Sequence, residues 1–201
     1  MDFSSKSILV GSITRKIGTP MRRERSYGPA FIFALVYLLM ISTGRGQVFQ
    51  LESAGARVGI AGGSSSKNFH EAELFADWDL PFRWDLGSRL SLQSRVEVST
   101  GWLGERGDNS AIENVGPCLV LAREHFPLSL AGGVNATVLS RSEFASRDFG
   151  ILFQFTSYVG VNWDFAAHMR LGYRFQHMSN AGLNGHNPGL NLHVFSLGYV
   201  F

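Results

Sequence analysis

The stretch Arg83-Trp-Asp-Leu-Gly-Ser-Arg-Leu-Ser-Leu-Gln-Ser-Arg-Val-Glu-Val-Ser-Thr-Gly-Trp102 decides the fold class. Its even positions read Trp84, Leu86, Ser88, Leu90, Leu92, Ser94, Val96, Val98, Thr100 and Trp102, mostly apolar with an aromatic at each end. Its odd positions read Arg83, Asp85, Gly87, Arg89, Ser91, Gln93, Arg95, Glu97, Ser99 and Gly101, charged or small throughout. Period two places successive side chains on opposite faces of a strand. The run is too long and too cleanly two-sided for an ordinary sandwich strand.

Working outward, similar alternation recurs at about 48–61, 70–80, 84–102, 110–122, 126–139, 149–163, 167–179 and 190–201. Eight is an even number, as a bacterial barrel with both termini on the periplasmic side requires. The connections alternate too. Leu80-Pro81-Phe82, Arg123-Glu124-His125 and Asp164-Phe165-Ala166 read as short turns, while Gly62–Phe69, Leu103–Asn109, Ser140–Asp148 and Asn180–Gly189 are longer and polar. The expected fold is all-β, an eight-stranded antiparallel transmembrane β-barrel over residues 47–201.

In hydrocarbon every backbone polar group must be paired internally, and a sheet achieves this only by closing. An eight-strand barrel is just wide enough for side chains to fill. Here the filling would be Glu71, Glu73, Asp77, Asp79, Arg83, Asp85, Arg89, Arg95, Glu97, Arg170 and Arg174, charges of both signs that suit a salt-bridged plug. A lipocalin-like soluble barrel would instead turn the apolar face inward, and alternation alone does not say which face is wet. The last strand favours the membrane reading. Phe195, Leu197, Tyr199 and Phe201 alternate with Val194, Ser196, Gly198 and Val200, and an alternating strand closed by a terminal Phe resembles the sorting signal of outer-membrane barrels.

Residues 1–46 are expected to be a signal peptide. Lys6, Arg15, Lys16, Arg22, Arg23 and Arg25 precede the apolar run Ala30–Ile41, and Ser42-Thr-Gly-Arg-Gly46 supplies a small-residue exit with cleavage near Gly46. Met21 alone begins a more usual leader and is an alternative start. The other reading is an uncleaved anchor, for which twelve apolar residues fall short of the roughly 20 a spanning helix needs. Seven of the 18 Lys/Arg and two of the 16 Asp/Glu lie in this segment, leaving 11 basic and 14 acidic residues and a formal charge of −3. The basic character thus belongs to the leader and gives no reason to expect nucleic acid. Cys118 is the single cysteine, so no intramolecular disulfide forms after export.

The candidate chemistry sits near the C-terminus. In 167–179 the odd positions are Met169, Leu171, Tyr173, Phe175, His177 and Ser179, and in 190–201 they are Asn191, His193, Phe195, Leu197, Tyr199 and Phe201. Both sets are expected to face lipid. His177 and Ser179 then lie on one side of a strand about 7 Å apart, a spacing from which an imidazole can act as base to a serine nucleophile. A register with Asn191 opposite Ser179 would put an amide diagonal to His177. The competing reading is a pair of polar residues decorating a barrel rim.

The string Tyr173-Arg-Phe-Gln-His-Met-Ser-Asn-Ala-Gly182, followed by Asn187-Pro-Gly-Leu-Asn191, resembles PagL-type lipid A 3-O-deacylases. The resemblance is specific over 167–201 and architectural over 47–166. It implies an eight-strand outer-membrane esterase that hydrolyses the ester at the 3-position of lipid A, with no metal or other cofactor. His177 would be the general base and Ser179 the nucleophile, while Asn180 and Gly182 match positions that help form the oxyanion hole. One position departs: the family's histidine-orienting Glu is replaced here by Asn191, and no carboxylate follows Asp164. Amide-oriented Cys-His-Asn sites show that such a group can serve. Outer-membrane phospholipase A shares His-x-Ser-Asn and the Asn, but it is a larger calcium-dependent barrel. Phospholipid hydrolysis and a non-catalytic structural barrel are therefore the alternatives, and a homodimer is left open. His168, His177, His186 and His193 raise a zinc reading that lacks any supporting Cys or carboxylate. Lys67, Arg106, Arg141 and Arg147, in or beside the longer loops, are candidates to meet lipid phosphates.

Overall fold

A computed structural model describes residues 49–62 and 68–201; the expected signal peptide and Lys67 lie outside them. The strands are β1 (Gln50–Ala61), β2 (Phe69–Gly87), β3 (Leu90–Glu105), β4 (Asp108–Arg123), β5 (Leu128–Leu139), β6 (Glu143–Phe144), β7 (Arg147–Asp148), β8 (Phe153–Ala166), β9 (Met169–Ser179) and β10 (Leu190–Val200). Eight of them close a barrel in the order β1-β10-β9-β8-β5-β4-β3-β2, and β6 with β7 forms a small separate hairpin. All pairings are antiparallel, and β1 meets β10 over Ser53↔Val200 to Ala61↔Leu192. The eight-stranded barrel expected from period two is the fold observed.

Which face is wet is settled by burial. Val58, Ile60, Leu74, Trp102, Leu130, Val159, Phe195 and Leu197 are exposed on the outside. Arg57, Glu71, Glu73, Arg95, Glu97 and Arg174 are buried within. An apolar wall around a charged interior is the inverse of a lipocalin and is stable only where hydrocarbon surrounds it. At the end carrying the termini the wall bears Phe82, Trp84, Phe126, Trp163, Phe165, Tyr199 and Phe201, an aromatic girdle of the kind that sits at a membrane interface.

The interior charges are paired across the barrel. Arg57, absent from the expected plug, is its centre: Nε lies 2.5 Å from Glu73 and Nη1 3.1 Å from Glu97, and Nη2 donates to Ser99. Arg174 donates to both Glu97 oxygens and lies over the Tyr158 ring at 4.4 Å. Nearer the termini, Glu52 accepts from Arg95 and Arg170, which also hold Asp79 and Asp164 respectively. Each of these four arginines thus faces at least one carboxylate, the condition under which a charge tolerates low dielectric, while Glu71 is held instead by the Gln176 amide. Arg83, Asp85 and Arg89, also expected in the plug, are exposed at the terminal end.

Three turns differ from expectation, the first being Asp164-Phe165-Ala166, which lies within β8 while the chain reverses at Ala167-His168. Leu80-Pro81-Phe82 is a register shift inside β2, and the chain reverses at Ser88-Arg89, within the stretch that reads as one strand. Asp85 pairs with Ser91, so odd residues face inward on both β2 and β3 and the alternation runs through the reversal in phase. Ser88 (φ 52°) and Arg89 (φ 64°) both adopt positive φ, the geometry of a type I′ turn built without the usual Asn-Gly. At the opposite end, 103–109 is no long loop. It is a two-residue turn at Arg106-Gly107, with φ of 48° and 97°.

The loop end is closed by an apolar cluster. Phe69, Phe144 and Phe149 meet edge to face at 5.2–6.0 Å and pack with Leu103, Met178 and Leu190. Phe144 and Phe149 come from the 140–152 connection, which folds inward. Its fixing point is the fully buried Glu105, whose carboxylate accepts both the N–H and the hydroxyl of Ser146.

Candidate active site

β9 and β10 run as a hairpin whose odd residues face outward, as expected. The register places Asn191 opposite His177, not opposite Ser179. The ladder between the two strands ends at Leu190↔Met178, whereas β9 continues beside β8 to Ser179↔Phe155. The difference arises at Asn180. Its side-chain amide donates to Phe149 O, Asn184 Oδ1 and His186 O at 2.8–2.9 Å. These bonds gather loop 180–189 into a compact turn and draw the chain out of the ladder two residues earlier than a diagonal placement requires.

The direct pairing brings the His177 and Asn191 side chains together, with Nδ1 2.7 Å from Asn191 Oδ1. An amide oxygen only accepts, so this bond fixes the proton on Nδ1 and leaves the Nε2 lone pair free. Asp148, in the small hairpin at the same end of the barrel, accepts from the Gly150 N–H. Ser179 shares the outward face through its pairing with Phe155 and is only 9% exposed. Among the described residues, no hydrogen bond joins His177 to Ser179. Reach between them is a matter of rotamer, and such bonds commonly tighten only with substrate present.

Asn180 and Gly182 adjoin the serine, but their donors are engaged. Gly182 N–H donates to Asn180 Oδ1 at 2.8 Å, and the Asn180 amide holds the three loop acceptors. Ala181 and Gly182 take positive φ (54° and 80°), so the segment just after the serine is a sharp turn.

Two residues that the sequence reading did not assign to the catalytic hairpin shape the site: Gly189, and Arg147, expected only as a contact for lipid phosphates. Gly189 packs its Cα against the imidazole: a Cβ there would stand 2.4 Å from His177 Cε1. Arg147, from the inward-folded hairpin, donates to Gly189 O and lies over the Phe69 ring. A Pro-Gly pair favours a turn, but nothing in sequence spacing relates Arg147 to residue 189. Of the other basic loop residues, Arg141 is paired with Asp108 at 2.7 Å. The histidines are dispersed. His168 lies at the terminal end against Tyr199, and His193 bonds Tyr173. Among the described residues no three His, Cys, Asp or Glu converge as metal ligands.

The chain is 36% identical over 72 residues to the lipid A deacylase PagL of Bordetella bronchiseptica, a match covering 36% of this chain and 40% of that protein. The chain thus spans about two fifths of the length of that curated relative. The crystal structure of the outer membrane enzyme PagL superposes with a TM-score of 0.65 at 20% identity, covering 74% of this chain and 99% of the other, a likeness of fold. The family described as Lipid A 3-O-deacylase (PagL) matches residues 70–200, well over half of the sequence, and the chain belongs to that family.

Proposed function

We propose that the protein is an outer-membrane serine esterase that hydrolyses the 3-position acyl ester of lipid A, with Ser179 as nucleophile, His177 as base and Asn191 as the residue that orients it. The observation carrying this reading is the His177 Nδ1···Asn191 Oδ1 bond of 2.7 Å on the outward face of the barrel, in a hairpin that the family match covers. The substrate's acyl chains are membrane-embedded, so a site on the outer wall near the loop end meets them sideways without extracting them.

His177 Nε2 takes the proton of Ser179 Oγ as the oxygen attacks the ester carbonyl. The tetrahedral intermediate collapses by breaking the bond to the sugar oxygen, to which the imidazolium returns the proton. Water, deprotonated by Nε2, then attacks the acyl-serine and releases a fatty acid. Asn191 holds the reactive tautomer throughout, though without the full charge a carboxylate would offer the imidazolium. For Asn180 and Gly182 to stabilise the oxyanion, Gly182 N–H must exchange its bond to Asn180 Oδ1 for one to the substrate, a rearrangement local to the 180–189 turn. Residues 1–46 would direct export and be removed near Gly46.

The test is mass spectrometry of lipid A from cells expressing the intact chain beside a Ser179→Ala control. Loss of one ester-linked acyl chain in the first and not the second is expected. Release from phospholipid instead would replace the substrate assignment, and unchanged lipids in both would leave a structural barrel.

A further inference from the structure

Two rows below the base, toward the terminal end, the outer wall carries a second polar pair that the mechanism does not use. Tyr173 OH and His193 Nδ1 are 2.9 Å apart, their rings stack at 6.1 Å, and Phe175 and Phe195 pack on either side. Register and parity put both on the outward face: His193 pairs with Phe175, and Tyr173 with Phe195. Polar side chains on a lipid-facing wall are costly and call for an explanation.

The mutual bond meets only half of their hydrogen-bonding capacity. If Tyr173 donates to Nδ1, then His193 Nε2–H and a phenol lone pair remain. If Nδ1–H donates to the phenol oxygen, then the Tyr173 hydroxyl proton and the Nε2 lone pair remain. In both cases one donor and one acceptor stand side by side, and Nε2 has no hydrogen-bond partner among the described residues. Nor is Nε2 covered. Gly62 lies beside it, and a Cβ at that position would stand 2.7 Å from Nε2. A carbonyl could use only the donor, whereas a hydroxyl uses both.

We propose that Tyr173 and His193 form a subsite for a hydroxyl group on an acyl chain of the substrate, close to the ester being cleaved. The reading rests on the lipid deacylase function above. His193 is diagonal to His177, about 7–8 Å between Cα atoms. An ester carbonyl at the base therefore places the first few carbons of its acyl chain beside the pair. A chain unable to form these bonds leaves a donor and an acceptor facing hydrocarbon, so the subsite selects against it.

The test uses three lipid A analogues: one with a hydroxyl on the first few carbons of the scissile chain, one with that chain plain, and one with the hydroxyl only on the neighbouring amide-linked chain. The wild type should favour the first over the second by about tenfold in kcat/KM, the size of one retained hydrogen bond. In His193→Phe and Tyr173→Phe the ratio should fall toward one, and His193→Gln, which keeps a donor and an acceptor, should restore part of it. A preference for the third analogue that His193→Phe abolishes would assign the subsite to the adjacent chain. An undiminished ratio in His193→Phe, or no preference among the analogues in the wild type, overturns the proposal. Binding of the same analogues to Ser179→Ala protein, followed by calorimetry, should show the same ratio in Kd. That readout needs no hydrolysis, so it decides the subsite even if the deacylase reading fails.

Discussion

Replacing Asn191 by Asp exchanges the amide nitrogen for oxygen and leaves the 2.7 Å contact to His177 Nδ1 in place. What changes is the charge facing the imidazolium that forms during attack. A neutral hydrogen bond contributes about 1 kcal/mol and one to a charged group about 1.5–3 kcal/mol. The difference of roughly 1.4 kcal/mol corresponds to about a tenfold rise in kcat. Asn191→Leu is similar in size and accepts nothing. It loses the orienting bond and releases the imidazole to both tautomers, so kcat should fall about 10- to 100-fold, short of the roughly 10⁴ seen when a wrong tautomer is imposed. The assay is release of fatty acid from purified lipid A in detergent micelles, quantified by mass spectrometry, with the heat-dependent gel shift confirming equal folding of each variant. Wild-type rates in Asn191→Leu would refute the reasoning and remove Asn191 from the site.

Gly189→Ala brings a methyl group to 2.4 Å from His177 Cε1 and so must displace the ring; because a shift of about 1 Å can cost 10²-fold, kcat in the same assay should fall by that order while the gel shift is retained. Arg57→Met leaves Glu73 and Glu97 facing each other with one fewer cation, and urea unfolding of the refolded barrel should show a loss of about 3 kcal/mol. Ser88→Asn with Arg89→Gly replaces two side chains held at positive φ by the preferred type I′ residues; the same unfolding measurement should show a gain of about 1 kcal/mol, with activity unaltered because the turn lies at the opposite end from the hairpin.

The sequence alone determined the architecture, because a barrel wall has a strict period of two and each side chain must suit either hydrocarbon or the packed interior. Strand number and the outward parity of His177 and Asn191 follow from that local pattern. The turn at Ser88-Arg89 was invisible to it, since both flanking strands bury odd residues and the alternation passes through the reversal unbroken. Arg57 escaped notice among the small residues of β1, although the barrel makes it the hub of the interior. Register was likewise beyond the sequence. Whether Asn191 stands opposite Ser179 or His177 depends on how many residues the 180–189 turn takes up, and that turn is set by bonds from Asn180 to a carbonyl of Phe149, 31 residues away. The approach of Arg147 to Gly189, and of Gly189 to the base, depends on the same inward fold of a distant loop. Alternation is a property of each strand, but alignment between strands is chosen by contacts distant in sequence, and only the closed barrel brings those together.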